Sequence, residues 1–166
     1  RDKAVEPIAG EPLIHRVMAR LAQVTTQVVV VVADERRGAE LNLPDPIKMA
    51  IDIFPDGGSL GGIFTGLSAA DEDWGIVVAC DMPFLNLELL SHMLTVRDGY
   101  DAVVPMLENR PEPTHAIYSK VCLSYMERRL QANDLKISRF FDEVRVMYLS
   151  QSTLEQKDPD HLSFFN

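Results

Sequence analysis

The sequence predicts one α/β domain, a three-layer, doubly wound and mostly parallel sheet. Three observations predict it. Gln27-Val28-Val29-Val30-Val31-Val32-Ala33 and Trp74-Gly75-Ile76-Val77-Val78-Ala79-Cys80-Asp81 are apolar runs without polar alternation, as in strands covered on both faces. Stretches with helical spacing alternate with such runs, the order that builds a parallel sheet with helices on both sides. The chain has 166 residues, 46% hydrophobic and 25% charged, which suits one core and leaves little for a second folding unit.

In chain order, residues 12–24 read as a helix. Leu13, Val17, Leu21 and Val24 recur at three- and four-residue steps, and Pro12 suits a first turn. The strand at 27–33 follows. Residues 34–46 are polar and interrupted by Gly38, Pro44 and Pro46, which predicts a loop or a short irregular helix. Residues 47–54 form a weaker strand candidate, and Pro55-Asp56-Gly57-Gly58-Ser59-Leu60-Gly61-Gly62 leads into a helix over 63–70. After the strand at 74–81, Met82-Pro83 breaks the run, and Asn86 caps a helix carrying Leu87, Leu89, Leu90, Met93 and Leu94. Short strands are expected at 101–105, 114–118 and 144–149, with helices over 121–130 and 136–142.

The balance of charge excludes some functions. Net charge is −9, so nucleic acid and anionic membranes should repel the chain. A phosphate ligand would need a metal ion or a local basic patch. Two cysteines are too few for a disulfide framework, and Cys80, ending an apolar run, is expected to be a small buried residue. This fits a reducing, cytoplasmic setting. The chain has no run of 18 apolar residues, so no membrane span is expected. The start at Arg1-Asp2-Lys3, without Met, and the end at Phe164-Phe165-Asn166 read as cuts through a longer protein.

Ligands of doubly wound sheets bind beyond the carboxyl ends of the strands. That rule directs attention to Asp34, Asp81 and Pro105. Asp81 follows its strand directly. Mg²⁺ takes one or two carboxylates and completes its shell with water and substrate phosphates, so a lone strand-end Asp suffices. A turn acid or helix cap would occupy the same position. The glycines at 57, 58, 61 and 62 expose backbone N–H groups to a phosphate or a ring. Neither a Walker loop nor a dinucleotide fingerprint is present, and a flexible turn with close helix–sheet packing reads equally well. Arg110-Pro111-Glu112-Pro113-Thr114-His115 is a proline-stiffened loop in which Thr114 and His115 face a ligand or satisfy a turn. Arg1-Asp2-Lys3 alone reads as a solvated end. His15, His92 and His161 show no metal-ligand spacing.

Together these pieces carry more. Asp2-Lys3-Ala4, Gly10-Glu11-Pro12-Leu13-Ile14, Phe54-Pro55-Asp56-Gly57-Gly58-Ser59-Leu60-Gly61-Gly62-Ile63, Cys80-Asp81-Met82-Pro83-Phe84 and Arg110-Pro111-Glu112-Pro113-Thr114-His115-Ala116 follow one another in a fixed order. This order resembles the molybdenum cofactor guanylyltransferase (MobA-type) family, across almost the whole chain. The resemblance implies a Rossmann-like nucleotidyltransferase fold and transfer of GMP from GTP to the phosphate of molybdopterin, with pyrophosphate released. It implies catalytic roles for Lys3, at the GTP phosphates, and for Asp81, which holds Mg²⁺ or Mn²⁺. Asp56, Gly57, Gly58, Leu60, Gly61 and Gly62 would line the nucleotide pocket. Arg110, Thr114, His115 and Asn166 would lie toward the acceptor. Other proteins of molybdenum-cofactor synthesis or molybdoenzyme chaperones would be partners, and nucleic acid and membranes would not.

The family's opening strand and its Leu-Ala-Gly-Gly-x-Ser-x-Arg-Met-Gly phosphate loop are missing from residues 1–166, as is the C-terminal segment of which Phe164-Phe165-Asn166 looks like the start. The missing loop carries much of the base choice. Two alternatives therefore stand beside the first reading. One is a related nucleotidyltransferase using CTP or another phosphorylated acceptor. The other is a catalytically inactive nucleotide-binding homologue.

Overall fold

A computed structural model describes residues 7, 8 and 10–165, with side chains described for 10–165. The elements in order are β1 (Pro7–Ile8), β2 (Glu11–Pro12), α1 (Leu13–Leu21), β3 (Val29–Val32), α2 (Glu35–Leu41), β4 (Lys48–Ile51), α3 (Gly58–Ala69), β5 (Trp74–Val78), α4 (Leu87–Thr95), β6 (Ala102–Leu107), β7 (Arg110–Pro111), β8 (His115–Ser119), α5 (Leu123–Gln131), β9 (Val146–Leu149) and α6 (Gln151–Lys157). Short 3₁₀ turns lie at Lys120–Cys122, Ile137–Glu143 and Leu162–Phe164.

Local chemistry explains the boundaries. Asp34, Asn86 and Ser150 each accept a backbone N–H from the first turn of the helix they precede, at Arg37, Leu89 and Thr153, satisfying one of the donors every helix start leaves over. The Asp34 cap makes residues 35–41 a regular helix where the sequence predicts a loop or an irregular one. Gly38, the apparent breaker, is a packing residue: a Cβ there would sit 2.0 Å from the Met49 sulfur. Asn42 closes that helix in the left-handed region at φ 46°.

The architecture is the doubly wound α/β arrangement. β5 and β6 both pair antiparallel with β8, and β9 pairs parallel with β6. Hence β5, β6 and β9 point one way and β8 lies reversed between β5 and β6. β3 and β4 form a separate parallel pair. The side chains of β6 and β8 alternate between two cores. Val103 and Ile117 join α1, α2, α4 and α6 in one core. Ala102, Val104, Ala116 and Tyr118 join α3, α5 and the 137–143 turn in the other. Sheet between two helical layers is the three-layer arrangement the sequence predicts.

Two strands depart from expectation. The runs at 27–33 and 74–81 read as strands covered on both faces. Among the described residues, however, β3 pairs only with β4 and β5 only with β8. Both line one cavity of about 630 Å³, together with Val17 and Leu21 of α1 and Gly66 and Leu67 of α3. All five residues of β5 are half-buried for this reason, and so are Val29 and Val31. No helix among the described residues is long and apolar enough to cross a membrane.

Candidate active site

Two strand-to-helix turns meet the same edge of the molecule. The first joins β4 to α3 through residues 52–57. Its Asp52 N–H continues the ladder by donating to the Val32 carbonyl at 2.8 Å. The Asp52 carboxylate then accepts the Phe54 N–H and the Thr65 hydroxyl, both at 3.0 Å, while the Thr65 oxygen accepts the Ile53 N–H at 3.0 Å. Gly57 donates to the Phe54 carbonyl at 2.7 Å, and Gly61 to the Gly57 carbonyl at 3.1 Å. The Phe54 ring meets Phe64 edge-on at 5.3 Å.

The four glycines do different things. The helix begins at Gly58, five residues before the expected start, so the cluster is largely the first turn and a half of α3. Gly57 and Gly61, four apart, face protein. A Cβ at Gly57 would lie 2.7 Å from Leu130 Cδ2, and one at Gly61 would lie 2.6 Å from the Phe54 carbonyl. Gly58 and Gly62, also four apart, face open space, with nothing within 4 Å of an added Cβ. Gly58 has φ +55°, which an L side chain rarely adopts. The leading N–H groups of α3 are of the kind that bind anions at helix starts. Leu60 does not share this face: it is fully buried in the α3–α5 core, because a large aliphatic side chain there packs inward. Asp56 is exposed.

The second turn joins β5 to α4. Ala79, just past β5, donates its N–H to the Thr114 carbonyl at 3.0 Å, and Met82 donates to Ala79 at 3.3 Å, turning the chain at Cys80 and Asp81. Asp81 is half-buried, whereas Met82 and Pro83 are buried beneath it. Cys80, expected to be interior, is exposed, because the strand ends before it. Ser59, Gly62, Ala79, Cys80 and Thr114 line the cavity beside β3 and β5, so the glycine face, the Asp81 turn and the start of β8 come together, while Asp56 and Gly57 line a separate, smaller cavity with Leu130. Among the described residues no group of three or more His, Cys, Asp or Glu side chains is gathered as for a metal cage. A single strand-end carboxylate fits Mg²⁺ held mainly by substrate phosphates and water.

The acceptor-side residues separate into two kinds. Arg110 is exposed on the β6–β7 hairpin, 3.5 Å from Glu108. Thr114 is half-buried beside Ala79. His115 faces the core. It is fully buried, and burial pushes its pKa down to about 4. Its Nε2 lies 2.6 Å from Ser163 Oγ, and its ring stacks on Phe164 at 4.4 Å. Ser163 accepts the Asn86 N–H at 2.9 Å and donates its own N–H to Asp158 at 2.9 Å. His115 therefore holds the last segment against the α4 cap and does not meet a ligand directly. Its outward-reading loop misleads because β8 begins at His115 itself and turns that side chain inward. Lys3 and Asn166 lie outside the described residues.

Sequence reasoning passed over Asp52, Thr65, Asn86 as an anchor, Asp158 and Ser163. Thr65 carried a signal: it is a lone polar residue on the apolar face of a helix, four after Gly61. Ser163 and Asp158 carried none: they bond each other five residues apart, but His115 and Asn86, which tie them to the rest of the fold, lie 48 and 72 residues away.

A family model described as MobA-like NTP transferase domain matches residues 1–147. The chain is 34% identical over 166 residues to a "Probable molybdenum cofactor guanylyltransferase" of Pelotomaculum thermopropionicum, covering 100% of this chain and 79% of that protein. It is 32% identical to the molybdenum cofactor guanylyltransferase of Desulfosudis oleivorans, covering 99% and 80%. Among solved structures it resembles molybdopterin-guanine dinucleotide biosynthesis protein A of Archaeoglobus fulgidus with a TM-score of 0.84 and 28% identity, covering 99% of this chain and 83% of that one.

Proposed function

Because the chain belongs to the MobA-like NTP transferase family, and is thus a nucleotidyltransferase, we propose that it transfers GMP from GTP to the phosphate of molybdopterin, giving the guanine dinucleotide cofactor and pyrophosphate. The observation that carries this reading is the likeness, over almost the full chain, to relatives named for that activity. The approach of Gly62, of Cys80 next to Asp81, and of Thr114 to one cavity supports it.

In the proposed reaction a phosphate oxygen of molybdopterin attacks the α-phosphorus of GTP in line. The new O–P bond forms as the bond to the bridging oxygen of the leaving pyrophosphate breaks, and no covalent enzyme intermediate is required. Asp56 and the leading N–H groups of α3 receive the guanine and ribose, with Gly58 and Gly62 permitting close approach. Lys3 offsets charge on the phosphates. Asp81 is the protein ligand for Mg²⁺, for which Mn²⁺ can substitute. The bound ion would neutralise phosphate charge. Arg110, Thr114 and Asn166 face the acceptor, and His115 acts through the segment it holds. Other proteins of molybdenum-cofactor synthesis or molybdoenzyme chaperones deliver the acceptor or receive the product. The setting is cytoplasmic, in keeping with two cysteines that form no disulfide.

The test is pyrophosphate release from GTP, with CTP as the competing nucleotide, in the presence of Mg²⁺ and molybdopterin. Release dependent on both GTP and molybdopterin is expected. Equal turnover of CTP would remove the guanine assignment, and nucleotide binding without release would identify an inactive homologue.

A further inference from the structure

The loop that carries Asp56 is held by a pair of residues that the proposed reaction does not otherwise use. We propose that Asp52 and Thr65 are positioning residues of the nucleotide pocket. This inference rests on the reading of residues 56–62 as the nucleotide-binding face.

Thr65 is 1% exposed in the middle of α3. A hydroxyl at such a position ordinarily bonds back to its own helix or sits where water reaches it. Here it reaches out of the helix. It donates to Asp52 Oδ1 and accepts the Ile53 N–H, both at 3.0 Å. Asp52 Oδ1 accepts the Phe54 N–H as well. One hydroxyl and one carboxylate oxygen thereby satisfy two successive backbone donors at the point where the chain leaves β4. Such donors, sequestered and unpaired, would favour a different loop path.

The consequence reaches the glycines. With Phe54 fixed, its carbonyl faces Gly57, accepting that N–H at 2.7 Å. The same carbonyl packs so close to Gly61 that no side chain fits between them. Asp56 and the first N–H groups of α3 are thus oriented by a bond network anchored at Thr65, two helical turns inside the core. Packing alone does not demand this arrangement: valine has nearly the shape of threonine and makes neither hydrogen bond.

Four variants of the whole chain test the proposal. Thr65→Val removes the hydroxyl at near-constant volume, and Thr65→Ser keeps it. Asp52→Ala removes the acceptor from a half-buried position. Asp56→Ala probes the binding face itself. Affinity for GTP with Mg²⁺ is read by titration, and kcat and KM by pyrophosphate release. Thr65→Val and Asp52→Ala should each raise the Kd and KM for GTP about tenfold with kcat within about twofold, and Thr65→Ser should match the parent. Normal GTP affinity in both Thr65→Val and Asp52→Ala, or a Thr65→Ser as weak as Thr65→Val, would overturn the proposal. If Thr65→Val does not fold, Asp52→Ala against Thr65→Ser decides in the same way. Asp56→Ala separates the two levels. If it weakens GTP while the hydroxyl and carboxylate variants do not, only the positioning role falls. If none weakens GTP, the nucleotide reading of the loop falls with it.

Discussion

The turn from β4 to α3 and the turn from β5 to α4 occupy equivalent places in the fold and work by opposite means. The first offers backbone. Its Asp52, Thr65, Gly57 and Gly61 are spent on holding main chain in place, and the surface left over is bare N–H and open glycine. The second offers a side chain. Its backbone makes a plain turn, and what it offers is side chain, Cys80 lining the cavity and the half-buried Asp81 beside it. The lesson concerns mutation. A backbone site is damaged by adding atoms, and a side-chain site by removing them.

The largest expected effect breaks the second turn. Asp81→Ala should lower turnover by about a thousandfold or more, the scale lost when charge stabilisation of a phosphoryl-transfer transition state is removed, with thermal stability close to the parent. Near-normal guanylyl transfer by that variant at ordinary Mg²⁺ would show that this turn does not carry the metal.

Acid should loosen the segment that His115 holds against the α4 cap. His115 is buried neutral with its pKa pushed down to about 4, against about 6.5 in the unfolded chain. Its contribution is whole above about pH 6.5 and is lost as pH falls toward 4, because the unfolded chain takes up the proton first. The loss amounts to roughly 3 kcal/mol. Denaturant midpoints between pH 7 and 4.5 should fall steeply for the parent and more gently for His115→Gln. Equal slopes would remove His115 as the cause.

The glycine pairs sharpen the comparison inside the first turn. Gly61→Ala should destabilise by about 1–3 kcal/mol, since its Cβ meets the Phe54 carbonyl at 2.6 Å. Gly62→Ala has open space and a helical position, so it should stabilise by about 0.5–1 kcal/mol while weakening GTP about tenfold. Denaturation curves beside GTP titrations check both. A Gly62→Ala chain that binds GTP normally would mean that nothing approaches that face.

Much of this was legible in the sequence, for physical reasons. The apolar runs at 27–33 and 74–81 announced strands, though not their half-exposed sides, and Asn86 announced the α4 cap, because strand propensity and capping are local chemistry. The α/β fold class and the family followed. The start of α3 was not legible. Four glycines in six positions look like a loop by propensity, and only the tertiary fit of Gly57 and Gly61 against Leu130 and Phe54 explains why a helix starts at Gly58. The helix at 35–41 was read only as a loop or a short irregular helix, because Gly38 reads as a breaker until Met49 is seen against it. Residues 110–115 were read as a loop whose Thr114 and His115 face a ligand or satisfy a turn, with a strand starting at 114. The strand register that turns His115 toward Ser163 depends on pairing with β5, which no local window contains. Asp81 was singled out as the end of a strand, whereas β5 stops at Val78 and Asp81 lies in the turn three residues beyond it.

The exposure of Cys80 has a practical consequence. The chain has two thiols. Cys122 is buried and donates to the Asp101 carbonyl, and burial pushes its pKa up to about 12, so it yields almost no thiolate at neutral pH. Alkylating reagents therefore select Cys80, the residue beside Asp81. The wild-type chain carries a single built-in attachment point for a fluorophore or spin label at the mouth of the cavity. The rate at which iodoacetamide consumes that thiol should slow when GTP and Mg²⁺ are added, and an unchanged rate would place the nucleotide elsewhere.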